Sequence, residues 1–132
     1  MNPIEYVESI KARLSTDSII MTFAVIREYA NLDEGFIRTR ANLTNGDILD
    51  FSEFVRQSTT LELVSYRYQW LDKDKKLVRR WDNAPHFPTL PHFPHHFHDG
   101  KTGEVMPGKP TNIFAVLDEI AKTGSPLPAG EG

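Results

Sequence analysis

The segment from Arg79 to His98, RRWDNAPHFPTLPHFPHHFH, holds every histidine of the chain: His86, His92, His95, His96 and His98. It also holds four of the nine prolines and one of the two tryptophans. Histidine is the side chain that titrates near neutral pH without help from its surroundings, so acid–base or metal chemistry has its groups here. Three uses fit these residue types. The first is structural or partner-binding. Pro85, Pro88, Pro91 and Pro94 recur every third residue, the polyproline II repeat, and Phe87 and Phe93 supply packing. The second is a metal site among His92, His95, His96 and His98, with Asp82 or Asp99 completing the set, since zinc accepts imidazole and carboxylate ligands. His96 and His98 have strand spacing, which turns both rings one way. No established ligand spacing such as HExxH is present, and the prolines restrict how the rings converge.

The third use is general acid–base cleavage of a phosphodiester. Cutting RNA without a metal needs a base for the 2′-hydroxyl proton, an acid for the leaving oxygen and cations for the charge developing on phosphorus. Histidine suits the first two roles, each worth about 10²–10⁴-fold, and the planar guanidinium of arginine suits the last. Arg79 and Arg80 open the segment, and Arg38, Arg40 and Arg67 lie on strands able to neighbour it. Tyr66, Tyr68, Trp70 and Trp81 offer faces on which unstacked bases could lie, although aromatics in strands more often build the core.

The composition frames these options. A chain of 132 residues is expected to form one domain, 1–124, with a flexible tail, 125–132. Hydrophobic content of 39% and charged content of 25% are those of a globular protein. The absence of cysteine excludes disulfides, thiolate ligands and a thiol nucleophile. A net charge of −3 weighs mildly against non-specific nucleic-acid binding but leaves room for basic patches. No signal-like or membrane-length apolar run is visible, so a cytoplasmic location and no membrane partner are expected.

The elements that must position the segment follow from periodicity. Asn2, Pro3 and Glu5 start a helix over 3–14 with an apolar stripe of Ile4, Val7, Ile10 and Leu14. Ile19–Tyr29 is apolar on both faces and reads as a central strand. Phe36–Leu43 follows, then Thr44-Asn45-Gly46, the clearest hairpin signal in the chain. A three-residue loop there sets Ala41 opposite Leu49 and Thr39 opposite Phe51, keeping apolar residues on one face of a strand over Ile48–Val55. Leu61–Leu71 alternates, with Val64, Tyr66, Tyr68 and Trp70 on one face and Ser65, Arg67 and Gln69 on the other. Leu77–Asp82 is the fifth strand, and its register against the fourth stays open. Thr111 caps a last helix with Ile113, Phe114, Leu117, Ile120 and Ala121 inward, stopped by Gly124. The expected fold is α+β: an N-terminal helix, a five-stranded mostly antiparallel meander sheet, a long Pro/His-rich loop and a C-terminal helix.

The run from Tyr66 to His98 carries Tyr-x-Tyr-x-Trp, then Arg-Trp-Asp-Asn-Ala-Pro-His, then Pro-His-His-x-His. In these pieces the chain resembles the TumE-type toxin family, the toxin halves of two-gene toxin–antitoxin modules. FAVLDEI resembles the family's C-terminal helix. Two positions depart from the pattern: Phe87 stands where a second histidine is frequent, and Lys75 where a glycine is usual. The resemblance implies a growth-inhibiting protein with a cognate antitoxin as partner, and small toxins of such modules are frequently ribonucleases. The combined expectation is a metal-independent endoribonuclease without cofactor, with RNA as substrate. His86 and one or more of His95, His96 and His98 serve as base and acid. Arg79 or Arg80 sits at the phosphate, and Asp82 orients a histidine or pairs with an arginine. Arg38, Arg67, Tyr66, Tyr68 and Trp81 contact substrate, and His92 matters least. Two other readings stand beside it: a non-catalytic module whose Pro/His loop docks the antitoxin, and a His-ligated metalloenzyme. An exposed aromatic strand would add a homodimer.

Overall fold

The structure, a computed structural model, describes residues 1–123. The expected tail and the Gly124 helix stop lie outside them. Helix α1, Pro3–Thr16, starts as anticipated: Asn2 Oδ1 accepts the Glu5 N–H at 2.8 Å and Glu5 Oε1 accepts the Asn2 N–H at 2.9 Å, a reciprocal cap. Its buried stripe is Pro3, Val7, Ile10 and Leu14, while Ile4 faces out.

Seven strands follow, not five: β1 Ile20–Ala30, β2 Glu34–Leu43, β3 Ile48–Gln57, β4 Leu61–Leu71, β5 Leu77–Asp82, β6 His96–Asp99 and β7 Val105–Pro107. They form one antiparallel sheet in sequence order. The extra hairpin, β6–β7, is made from what the sequence presents as loop. Its turn lies hard against β5, because a Cβ at Gly100 would stand 1.7 Å from the Leu77 carbonyl oxygen. β1 is an edge strand rather than a central one. Register shifts leave Met21 and Ile26 without partners on β2, and both are exposed; such bulges twist an edge and spread apolar residues over both faces. The β2–β3 register is the one that alternation favours, with Ala41 opposite Leu49 and Thr39 opposite Phe51. Lys75, in the β4–β5 turn, has φ 65°, the left-handed conformation that a glycine takes without cost.

Helix α2, Ile113–Thr123, is capped by Asn112, whose Oδ1 accepts the Ala115 N–H at 2.9 Å, one residue later than the expected Thr111. The inward face of α2 buries Ile113, Val116, Leu117 and Ile120, and Ala121 is exposed. Both helices share one hydrophobic cluster with Ile37, Ala41, Leu49, Phe51, Tyr66, Tyr68, Trp70 and Trp81. At its centre is Glu53, 1% exposed, whose carboxylate accepts from Tyr6 Oη at 2.5 Å, Tyr68 Oη at 2.6 Å and the Ile113 N–H at 2.7 Å. The other face of the sheet carries Arg38, Arg40 and Arg67, all exposed. No helix among the described residues is long and apolar enough to cross a membrane.

Candidate functional site

The Pro/His segment is not a polyproline helix. Leu90 N–H donates to Phe87 O at 3.1 Å, Phe93 N–H to Leu90 O at 3.3 Å and His95 N–H to His92 O at 2.9 Å. Polyproline II has no internal hydrogen bonds, so the three-residue period marks a chain of tight turns that folds the segment back and delivers it into β6.

Antiparallel pairing then sets the site. Directly opposed residues share a face: Arg67 lies opposite Asp82 and Asp82 opposite His96, while Gln69 lies opposite Arg80 and Arg80 opposite His98. This settles the register left open by the sequence. Arg80 and Asp82 share the open face with Arg67, and Arg79 and Trp81 point toward the helices.

On the open face Asp82 is the hub. Its Oδ1 accepts the Ala84 N–H at 3.0 Å and stands 2.9 Å from His96 Nε2; its Oδ2 lies 3.5 Å from Arg80 Nε and 3.6 Å from His98 Nε2. His96 is 3% exposed, and its Nδ1 meets the Pro94 carbonyl at 2.9 Å. Both nitrogens of this ring thus face oxygen atoms. His98 Nε2 is 3.1 Å from Arg80 Nη2, so the guanidinium donates and the imidazole accepts. Burial first and then the Arg80 charge lower the His98 pKa, holding the ring neutral at pH 7. Phe87 sits edge-on to these rings, with centroids 4.9 Å from His96, 6.0 Å from His98 and 6.4 Å from His86. The position that departs from the family pattern is the apolar wedge of the cluster.

These groups line an open groove of about 790 Å³. Arg67, Arg80, Asp82, His86, His96 and His98 converge on it, with Ser52 and Ser65 on its floor. Asn83 clips the corner: its Oδ1 accepts the Tyr66 N–H at 3.0 Å and its Nδ2 donates to Val64 O at 3.0 Å. The Arg80–His86 motif therefore divides its work among a phosphate-sized cation, a core tryptophan, a hub carboxylate, a strand clip and a groove histidine.

Other expected site residues lie elsewhere. Arg79 pairs with Glu119 of α2 at 2.7 Å and its guanidinium sits 4.6 Å from the Phe97 ring centroid, away from the groove. His95 is not a groove residue; its Nδ1 meets Tyr66 Oη at 2.7 Å and its ring stacks on that tyrosine. Burial lowers the His95 pKa, and burial with the Asp82 charge pushes that of Tyr66 up to about 12. Tyr68 and Trp81 are buried in the core and present no face to a base, while Tyr66, 5% exposed and with its hydroxyl on His95, counts among the groove's lining. Arg38 is on the open face, held by Asp50 through two contacts of 3.2 Å. His92 is exposed and outside the groove. Of the expected metal set, Asp99 spends its carboxylate on the N–H groups of Lys101 and Thr102. Asp82, His96 and His98 do come together, with ligand atoms within 4.8 Å of one another, a donor set that suits zinc. Arg80 leans on two of the three, placing a positive charge where a cation would enter.

A family model described as Toxin TumE matches residues 10–123. The chain belongs to the TumE toxin family. No curated protein and no solved structure matches it. In this TumE-family chain the residues that carry the resemblance, Tyr66 to His98, are those that build β4, β5, β6 and the groove between them. Glu53 was not singled out from the sequence, although it had a signal, an acid at an inward position of the alternation Leu49, Phe51, Glu53, Val55. Phe87 was read as packing and as a departure from the family pattern, and it packs against His96, His98 and His86.

Proposed function

We propose that this toxin cleaves RNA without a metal, in the groove between β4, β5 and β6, and that a cognate antitoxin neutralises it. The observation that supports this reading is convergence: two groove histidines, His86 and His98, with two arginines, Arg67 and Arg80, around one open volume. His98 is the base. A substrate phosphate competes for the Arg80 guanidinium, which frees the His98 Nε2 lone pair to take the 2′-hydroxyl proton. The 2′-oxygen bonds to phosphorus, the bond from phosphorus to the 5′-oxygen breaks, and His86 protonates that oxygen. The products are a 2′,3′-cyclic phosphate and a 5′-hydroxyl. Arg80 and Arg67 stabilise the charge on phosphorus. Asp82 and His96 are positioning residues that fix Arg80 and His98.

The trio of Asp82, His96 and His98 supports a second reading, a metal-dependent hydrolase. The two part in one experiment. Purified protein is incubated with RNA in chelator, beside His98→Ala and His86→Ala variants whose fold is checked by circular dichroism. Cleavage that survives chelator and is lost in both variants is the expected result. Cleavage abolished by chelator and restored by zinc moves the site to the metal reading, and protein that never cleaves RNA overturns both in favour of a binding module.

A further inference from the structure

The pairing register writes three parallel rows across the open face of the sheet. One row runs Arg27, Arg38, Ser52, Arg67, Asp82, His96, each residue directly opposite the next on the neighbouring strand. It begins at the β1 edge and ends inside the groove. Two residues along the strands lies an aromatic row: Tyr29, Phe36, Phe54, then Ser65. Tyr29 and Phe36 are stacked at 6.0 Å with planes 19° apart, and the Arg56 guanidinium stands 5.3 Å from the Phe54 ring centroid. Beyond it a third row, Glu34, Arg56, Glu62, is bounded by carboxylates.

We infer that this face is a track for single-stranded RNA leading away from the scissile bond. The phosphates lie on the arginine row and the bases lie on the aromatic row. The inference rests on the RNA-cleaving reading of the groove. Charge complementarity supplies the occupant. Arg38 and Arg40 share one carboxylate, Asp50, and among the described residues Arg27 and Arg67 have no carboxylate partner. The row, with three arginines to the one carboxylate of Asp82, therefore carries an excess of positive charge, although the chain as a whole is acidic. Adjacent strands are about 4.8 Å apart and residues two apart on a strand about 6.8 Å, so a backbone on the arginines has its bases within reach of Phe54, Phe36 and Tyr29. Glu34 and Glu62 repel phosphate from the far side and fix which edge of the strand faces which row. A base needs only a π-face for such stacking, so the track is tolerant of sequence. A duplex, whose bases are already stacked on each other, gains nothing from it.

The test separates track from groove. Binding of a labelled single-stranded oligoribonucleotide of roughly 12 nucleotides, a usual single-strand site size, is measured by anisotropy in full-length protein silenced by His98→Ala. Adding Arg38→Ala is expected to lower the slope of log affinity against log salt by about one. Adding Phe36→Ala is expected to weaken binding about 5- to 150-fold. The same two changes, made in protein that keeps His98, are expected to lower cleavage of the longer substrate by a larger factor than cleavage of a dinucleotide. Arg38 is exposed, so its variant keeps the proposal testable should Phe36→Ala fail to fold. Binding that ignores both changes overturns the track, as does equal damage to dinucleotide and oligonucleotide cleavage. Loss of antitoxin binding with RNA binding unchanged also overturns it, making the face a protein interface. Binding that follows both rows in a protein that cleaves no RNA keeps the track and removes the groove reading alone.

Discussion

Among the carboxylates buried against this sheet, Glu53 on the helix face and Asp82 on the open face are held by different company. Glu53 is gripped by two tyrosine hydroxyls and a helix N–H, all neutral donors, deep in the core. Burial pushes its pKa up while those hydrogen bonds pull the other way. Asp82 is held by the His96 imidazole, the Ala84 N–H and the Arg80 guanidinium at the wall of an open groove, with the His98 imidazole 3.6 Å away. One is satisfied and sealed, and ties α1, β3, β4 and α2 together. The other is satisfied by groups that are themselves able to move protons or hold phosphate, and solvent reaches the far side of them. Burial of an acid alone points to no function; the partners and the access distinguish the two.

The comparison breaks most sharply at its chemical end. His98→Ala is expected to lower the kcat/KM for RNA by about 10²–10⁴-fold while thermal unfolding hardly moves. Glu53→Ala is the reciprocal case. It strands three buried donors, and urea unfolding is expected to show a loss of about 3 kcal/mol or more. Arg80→Ala gives a smaller and more diagnostic effect. Removing its charge raises the His98 pKa, so the acidic limb of the pH–rate profile moves to higher pH; burial keeps part of the depression in place. A limb that stays where it was means that His98 is not the base.

Glu53→Gln sharpens the other end. A carboxyl whose folded pKa is raised contributes stability that is complete below its unfolded pKa, about 4.3, and is lost as pH rises through the folded value. Wild-type stability is therefore expected to decline with rising pH over that window, and Glu53→Gln to flatten the decline; parallel profiles for the two proteins would contradict this. Smallest of all is Arg79→Ala. Its ion pair with Glu119 is partly exposed, so a loss of about 1 kcal/mol or less is expected, with RNA cleavage unchanged. A large cleavage defect there would undo the division of the sheet into two faces.

Much of this was legible in the chain. Periodicity placed both helices, four of the five anticipated strands in their roles and the β2–β3 register, because each has one buried face that fixes its phase. β1 misled because its bulges leave apolar residues on both sides of an edge strand. β6 and β7 were hidden because a four-residue and a three-residue strand carry too few alternations to stand out from a Pro/His-rich context. Within the site, His86, His98, Arg80, Asp82 and Arg67 were named from residue type. Arg79, His95, Tyr66, Tyr68 and Trp81 were named with them; alternation along β4 sets Tyr66 and Tyr68 on the face opposite Arg67, and the β4–β5 register sets Arg79 and Trp81 apart from Arg80 and Asp82. A one-residue shift in pairing would exchange Arg79 for Arg80 in the groove.

The Glu53 contacts carry a consequence for how the protein is made. The groove draws on residues 52 to 98, on strands that neighbour one another in sequence order. The core tie joins Tyr6 to Ile113, almost the whole described length. A chain emerging N-terminus first exposes the groove residues before the helix that seals the opposite face has emerged. The sheet can pair early, but it cannot close. The assembled groove therefore arrives with α2, and a chain stopped short of Ile113 holds its histidines without the core that aims them.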